Sequence, residues 1–575
     1  MKDAKNEINA VVTGVYPDKV HIEVLDIESF KLAGEKLSVG AYLRISDVQE
    51  CAIIAVVQSF SIQRGEEDQA RRYVIDGVPI GFLDAEGKFS RGGNKIAIPP
   101  IGVTPASRET IQQIYAWVEP AKSFEFSSLA QEPTIRVPLD GDRFFNKHIA
   151  IVGSTGCGKS CSLATVLRKA TEAKAGKFSG LNNSHIIIFD LHGEYSKAFP
   201  SANHLSISNL LLPYWLMNGE ELEELLVESG ENQAYNQASL LRRIITRNKQ
   251  KHSGLSKVMF DSPVQFSLTE VLNCIVNLSR ETRDYKKPAT CTLKDAPQEF
   301  LSDEARFDHY FSKELQFEEP KSQSFSKGAY NDGSLDKFIS RIRWKLSDER
   351  LSFLLGSEAE KRDFEGTIRQ ILGYRKDNEA NITVVDLSGI PFEVLSITVS
   401  LMSRILFDYG YHYKRKFKEK AQRTPFLLVY EEAHKYVPNL TAARYTASRF
   451  AIERIAKEGR KYGVTLALVT QRPSEISETI FSQCNNFIAM RLTNPADQNY
   501  VKRLLPDTLG PLTDTLPTLA SGEAILIGDA VVMPSLVQID RSMPEPSSTD
   551  INYLQEWKKE WYEVKFIELI KEWEK

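Results

Sequence analysis

Residues 153–160 read Gly-Ser-Thr-Gly-Cys-Gly-Lys-Ser, and no other stretch restricts the possible folds of this chain as tightly. The order is Gly, four residues, then Gly-Lys-Ser, the pattern of a P-loop. Its spacing has a physical reason. Glycines let successive backbone N–H groups turn inward and form a nest around phosphate oxygens. The helix that follows points its positive end at the same phosphates. Lys159 then reaches the β- and γ-phosphates, and the Ser160 hydroxyl can ligand Mg²⁺. The flanks suit the motif. His148–Val152 is a short apolar, β-rich run that ends at the first glycine, and Ser162–Ala170 reads as a helix. Strand, loop and helix in that order require an α/β fold. The candidate ATP-binding residues are Gly153, Ser154, Thr155, Gly156, Cys157, Gly158, Lys159, Ser160 and Cys161. Cys157 and Cys161, on either side of the lysine, read as small packing residues rather than ligands.

Further strands end in polar residues, as expected where the carboxyl ends of a parallel sheet face a ligand. Ile186–Asp190 is followed by Leu-His-Gly-Glu-Tyr. Asp190 and Glu194 are candidates to touch Mg²⁺-bound water or to order the γ-phosphate; alternatively, Asp190 only caps its loop. Ile382–Gly389 carries Asp386 at a similar strand end. Phe426–Tyr430 runs into Glu431 and Glu432, followed by Ala433 and His434. In P-loop ATPases the first acid of such a pair holds Mg²⁺ through water, and the second polarises the attacking water as general base. That assigns the metal to Ser160 and Glu431, and the base to Glu432. Val464–Thr470 leads into Gln471, placed to sense the γ-phosphate. Phe487–Arg491 and Ala524–Ile527 are two more strands. Arg449–Gly463 reads as a helix whose arginines are candidates for a finger reaching a neighbouring subunit's γ-phosphate, Arg460 first and Arg454 second. His434 either orients its loop or lies on the surface.

At 575 residues the chain is too long for one domain. Residues 1–130 hold short alternating strands separated by turns and are expected to form a small β-barrel, an interaction module. Residues 131–206 and 379–541 form the two parts of a RecA-like ATPase core. Residues 207–378 are too long for a loop and read as an inserted helical subdomain, with the polar stretch 281–330 partly mobile. The basic run from Arg247 to Lys257 either touches DNA or is solvated. Residues 542–575 form a linker and an aromatic-rich helix expected to dock on its own core or to clasp a neighbour. The net charge of −4 gives no field that attracts nucleic acid, so DNA contact must come from a local basic surface. Six scattered cysteines form no ligand cluster and suit a reducing cytosol. No signal peptide and no membrane-length apolar run are read, so the expected location is the cytoplasm.

The ordered set of blocks at 147–160 (KHIAIVGSTGCGKS), 189–195 (FDLHGEY), 427–434 (LLVYEEAH), 456–463 (AKEGRKYG) and 469–473 (VTQRP) resembles the HerA family, in the HerA–FtsK group of ring-shaped P-loop ATPases. The β-rich N-terminus is similar to the small barrel of HerA proteins. The resemblance implies a homohexameric ring that hydrolyses ATP with Mg²⁺ and pumps double-stranded DNA through its pore. It implies a partner docked on the barrel face: a NurA-like nuclease in end resection, or a nuclease or sirtuin-like NAD-degrading effector in anti-phage defence. Relatives carry Arg as a second trans-acting cation where this chain has Lys147, which keeps the charge but loses the planar fork. Asn439–Arg449, with Arg444, is a candidate pore loop. A second function is compatible with the same parts: an ATP-regulated ring scaffold that assembles and activates an effector without processive translocation. A pump of the FtsK kind would carry a membrane anchor, and none is read here.

Overall fold

The computed structural model describes residues 10–16, 19–25, 39–46, 51–63, 72–91, 102–176, 178–228, 234–374, 379–417, 424–439, 447–504, 510–547, 551–561, 563 and 565–574. Seven strands come first: β1 (Ala10–Val15), β2 (Val20–Val24), β3 (Tyr42–Ser46), β4 (Ala52–Gln63), β5 (Arg72–Leu83), β6 (Phe89–Arg91) and β7 (Val103–Pro105). They form one antiparallel sheet in the order β1-β2-β5-β4-β3-β7, with β6 beside β5. Val12, Val20, Ile22, Leu43, Ile45, Ala55, Val57 and Ile75 alternate along these strands and share one small core, the period-two pattern of a half-buried strand. The two ends of the order meet at a single bridge, Val11 with Gly102. Among the described residues the sheet is therefore a curled half-barrel, without the closing ladder that the expected barrel would have.

The second sheet collects β8 (Ser123–Leu129), β9 (Arg136–Asp140), β10 (His148–Val152), β11 (His185–Asp190), β12 (Asn203–Leu205), then β17 (Ile382–Asp386), β18 (Phe426–Tyr430), β19 (Val464–Thr470), β20 (Cys484–Met490), β21 (Glu523–Gly528) and β22 (Ser535–Ile539). Its order is β12-β17-β11-β18-β19-β10-β20-β21-β22-β8-β9. The run from β12 to β20 is parallel, and the rest is antiparallel. Every residue of β10, β18 and β19 is buried, because helices cover both faces of a parallel sheet. Helix α1 (Lys159–Glu172) covers one face, with Leu163, Val166 and Leu167 against Ile149, Ile151, Val429 and Val469. The long helix α5 (Phe392–Phe417) packs on the other, where Ala150, Val152, Phe189, Tyr430 and Leu468 point. Ser123–Leu129, assigned to the N-terminal segment by sequence, pairs with β22 and β9 and so belongs to the large sheet.

The residues between β12 and β17 hold helices α2 (Ala234–Ser253), α3 (Leu268–Arg280) and α4 (Asp336–Ser347). Leu240, Ile244, Val271, Ile275, Phe338 and Ile342 join the same continuous core as α5, so the insertion is fused to the sheet face rather than hung from it. It is not wholly helical. Strands β13 (Thr282–Asp284), β14 (Thr290–Cys291), β15 (Gln298–Glu299) and β16 (Phe325–Lys327) form a small antiparallel sheet inside the stretch 281–330. Buried Glu281, bonded by the Tyr310 hydroxyl at 2.8 Å, organises it. The C-terminal segment also departs from expectation. It forms two short helices, Tyr553–Trp557 and Phe566–Trp573, with Trp561 97% and Trp573 85% exposed. Among the described residues these helices are exposed rather than packed on the core, which leaves the other alternative, a neighbouring chain.

His148 opens β10 fully buried. Its Nε2–H donates to the Ala456 carbonyl (2.9 Å), and Nδ1 accepts the Leu466 N–H (3.2 Å). Burial holds the imidazole down at about 4, below its usual value. In the unfolded chain it takes a proton near pH 6.5, and in the native state it does not until about pH 4. Its neutral form therefore supports the fold fully above pH 6.5, and that support is lost as the pH falls to 4, about 3 kcal/mol for a shift of this size. Denaturant unfolding of His148→Gln should show a shallower loss of stability between pH 6.5 and 4 than the parent chain, with the two curves furthest apart at neutral pH.

Candidate nucleotide-hydrolysis site

The P-loop follows β10 at the carboxyl edge of the sheet. Gly156 and Gly158 have φ of +73° and +98°, a left-handed backbone that glycine adopts without penalty. A Cβ on Gly153 would lie 2.6 Å from the Cys157 sulfur and 2.9 Å from the Met490 Cβ. Cys157 is buried beneath the loop and packs, as expected. Cys161 accepts the Ser542 N–H at 3.4 Å, facing the chain that runs over α1 after β22. A Cβ on Gly156 would meet nothing within 4 Å, so the concave side of the loop is open to a ligand. Lys159 folds back and donates to the Ser154 carbonyl (3.2 Å). The Ser154 N–H donates to the Arg491 carbonyl (2.7 Å), and Thr493 bonds the Ser154 hydroxyl (3.1 Å).

β19 lies between β10 and β18, so three strand tips stand side by side. At the tip of β19, Gln471 Oε1 accepts the Thr155 hydroxyl at 2.6 Å. At the tip of β18, Glu432 takes a left-handed conformation with φ 49° and ψ 48°. A non-glycine residue rarely occupies that region, and such strain concentrates at functional sites. Glu432 is buried; burial raises its carboxyl, while Lys159, His192 and the Gln471 N–H pull it back down. A raised carboxylate is a better proton acceptor near neutral pH. Glu431 is buried more deeply. Its Oε1 accepts the Tyr195 hydroxyl (3.1 Å), and burial, then Asp190 and Glu194, push it well above the usual carboxylate range. Tyr195 in turn approaches Ser160.

Asp190 is fully buried, and its two oxygens are committed to the loop. Oδ1 accepts the N–H groups of His192 (3.3 Å), Gly193 (2.9 Å) and Glu194 (3.2 Å), and Oδ2 accepts that of Tyr195 (2.9 Å). It is a loop cap in this structure. The Glu194 carbonyl accepts the Ser547 N–H (2.9 Å), and its side chain faces Glu431 and Glu432 closely enough to raise both. Asp386 accepts the Ser388 N–H (2.9 Å) and closes its own turn. Lys147 pairs with Asp529 at 3.1 Å.

The arginines stand elsewhere. Arg460 lies in the turn before β19, at the edge opposite the P-loop, where it bonds Asn485 (3.3 Å). A seven-residue strand puts about 20 Å between the two edges. Arg454 stacks on Phe407, 4.4 Å from the ring centre, and pairs with Asp408 at 3.5 Å. Neither serves the P-loop of its own chain. Residues 440–446, with Arg444, lie outside the described residues. Arg247 pairs with Asp308, which takes it out of a free basic surface.

Sequence reasoning missed two members of the site. Tyr195, at the end of the FDLHGEY block, links Glu431 to Ser160; its signal was the spacing of five from Asp190. Arg491, at the end of β20, abuts the P-loop through its carbonyl, and its buried Nε has no partner.

The site's fit to nucleotide and metal is read from its unsatisfied atoms. Oε2 of Glu431 and Oε2 of Glu432 are buried without a hydrogen bond, a costly state that metal-bound and attacking waters would relieve. Among the described residues no three His, Cys, Asp or Glu side chains could hold an ion by themselves. The residues that would hold ATP are the P-loop amides and Lys159; for Mg²⁺ they are Ser160 and, through water, Glu431. Gly156→Ala tests the cradle. A Cβ there clashes with nothing in the protein, so the free fold should lose only about 1 kcal/mol from the left-handed backbone. Thermal shifts should then show the stabilisation by MgATP largely abolished.

A family model described as the central domain of helicase HerA matches residues 124–406. The chain is 26% identical over 488 residues to a probable helicase of Methanocaldococcus jannaschii, covering 82% of this chain and 80% of that protein. It is 27% identical over 462 residues to the DNA double-strand break repair helicase HerA of Saccharolobus solfataricus, covering 80% and 77%. Among solved structures it is similar to VirB4 of Thermoanaerobacter pseudethanolicus, with a TM-score of 0.45 and 11% identity over 74% of this chain and 97% of that one.

Proposed function

The chain is a HerA-family protein in its central domain, residues 124–406, and from that premise we propose that it is a ring-forming, ATP-driven translocase of double-stranded DNA working with a partner nuclease or other effector. It is an ATP-hydrolysing enzyme of the helicase kind. The observation that carries the reading is the row of three tips, with Thr155 bonded to Gln471 at 2.6 Å and strained Glu432 beside them. A nucleotide-binding scaffold needs the P-loop but not a strained, buried carboxylate with a free oxygen.

In this mechanism Lys159 leaves the Ser154 carbonyl and binds the β- and γ-phosphates. Ser160 would ligand the metal and Glu431 would hold it through water, Glu431 positioned in turn by Tyr195. Bound Mg²⁺ draws charge off the transferring phosphate. Glu432 takes the proton of the attacking water at Oε2. Gln471 exchanges Thr155 for the γ-phosphate and so reports its presence to the strand. Arg460, with Arg454 as the second candidate, completes the site from a neighbouring subunit; their place at the opposite edge of the sheet fits a role in trans. Such a finger raises the rate by roughly 10³–10⁵. Lys147 is a weaker second cation. The likeness to HerA proteins supports the hexamer, the DNA pore and a cytoplasmic site of action. No helix among the described residues is long and apolar enough to cross a membrane. The half-barrel sheet is the docking face for the effector, in DNA end processing or anti-phage defence. The domain limits are those of the sequence reading, except that Ser123–Leu129 belongs with the ATPase core sheet, and the exposed C-terminal helices reach a neighbouring subunit.

ATP turnover of the purified chain, with and without linear double-stranded DNA, tests the motor. DNA should raise kcat several-fold, and Glu432→Gln should lower it by roughly 10²–10⁴ while still binding ATP. Turnover indifferent to DNA would favour the scaffold.

A further inference from the structure

One buried side chain of the site has no part in that mechanism. His434 follows Glu432 by two residues in the short turn Ala433–Lys435 and is 7% exposed. Its Nδ1 lies 3.3 Å from Glu432 Oε2 and 3.2 Å from the Thr470 hydroxyl. Thr470 is fully buried at the end of β19; its hydroxyl accepts the Arg472 N–H (3.0 Å), and its carbonyl accepts the N–H of Gly153, the first P-loop residue (3.2 Å). Its neighbour Gln471 gives a backbone N–H to the Glu432 carboxylate, and its side-chain Oε1 accepts the Thr155 hydroxyl. One imidazole nitrogen thus stands where the carboxylate, the sensor strand and the P-loop come together.

We propose that His434 is a positioning residue for hydrolysis: through Nδ1 it holds the Glu432 carboxylate against the end of β19, so that the base and Gln471 move as one unit. The inference rests on Glu432 acting as the base.

Three observations support it. Glu432 occupies a left-handed backbone, and a strained residue keeps its conformation only when its surroundings over-determine it. The Lys435 N–H bonds the Glu432 carbonyl (2.8 Å) and fixes the backbone. The carboxylate head is bonded by the Gln471 N–H, and its Oε2, which has no hydrogen bond, lies 3.3 Å from His434 Nδ1. Second, the imidazole is neutral at physiological pH, because burial holds it down at about 4. A neutral N–H donor can steer the carboxylate without adding a charge that competes with Lys159 for phosphate. Third, the chains that leave the two tips stay joined beyond His434. Ser477 N–H donates to the Val437 carbonyl (2.9 Å), Asn439 N–H donates to the Glu475 carbonyl (2.9 Å), and Pro438 bridges Ile476. His434 sits at the root of this clamp, where a small rotation of one tip is imposed on the other.

The test uses the full chain and four variants: His434→Leu, His434→Asn, Glu432→Gln and the Glu432→Gln/His434→Leu pair. Leucine and asparagine carry the same number and branching of side-chain heavy atoms, but the asparagine amide reaches the place of Nδ1. His434→Leu should lower kcat roughly a hundredfold, as expected when a reacting group is misplaced, with the KM for ATP within about threefold. His434→Asn should recover most of that loss. In the Glu432→Gln background, His434→Leu should cost nothing further, because the residue acts through the carboxylate. Wild-type kcat in His434→Leu, asparagine no better than leucine, or a loss confined to KM would each overturn the inference. A dead Glu432→Gln beside an active His434→Leu removes the inference alone; an active Glu432→Gln removes the base assignment and the inference with it.

Discussion

The hydrogen-bond ladder that seats β19 between β10 and β18 is the constraint on which the rest of the structure depends. Parallel pairing in register sets Val152 beside Thr470 and Tyr430 beside Leu468. The residues that follow these strands, the P-loop, Gln471 and the two glutamates, therefore emerge at neighbouring points of one edge. Strand spacing of about 4.8 Å makes contact between Thr155 and Gln471 a consequence of topology, not of a flexible loop finding its partner. Burial of both faces keeps the ladder rigid: α1 on one side, α5 and the fused insertion on the other.

That rigidity lets the site hold an unfavourable charge arrangement. Asp190, Glu194, Glu431 and Glu432 crowd one end of the sheet, and burial penalises the charged forms of Glu431 and Glu432. The structure answers in three ways. Asp190 receives four backbone N–H groups. Glu431 is bonded by Tyr195. Glu432 is offset by Lys159 and the Gln471 N–H. Two carboxylate oxygens are left over. A site that leaves two buried carboxylate oxygens open at one strand tip is organised for cations and water to arrive with the nucleotide.

Much of this was legible in the sequence, for identifiable reasons. Buried parallel strands read as apolar runs, and polar residues at their ends mark the ligand edge, so β10, β11, β17, β18, β19, β20 and β21 and the acids after them were found by pattern. The roles proposed for Glu431 and Glu432 rest on their order, but the left-handed turn at Glu432 left no trace in residue types. Asp190 illustrates a different limit. An acid at a strand end is chemically the same whether it faces a metal or caps a loop, and only the four N–H groups around it decide. The small sheet at 282–327 was hidden because its strands are two or three residues long and polar, held by buried Glu281 and Tyr310 rather than by an apolar period. The C-terminal segment reads as a docking helix from its tryptophans, and in one chain its described side chains are exposed; amphipathicity marks an apolar face, not the surface that covers it.

The central claim is that the two unsatisfied oxygens at the tip of β18 are completed by the bound nucleotide's water and metal. The most direct measurement is a high-resolution structure of the full chain with Mg²⁺ and a non-hydrolysable ATP analogue. The account expects a metal-bound water within hydrogen-bond distance of Glu431 Oε2, a second water in line with the γ-phosphate at Glu432 Oε2, and Gln471 released from Thr155 toward the phosphate. A nucleotide bound in the P-loop with both oxygens still unpartnered, or turned away to other protein groups, would contradict it.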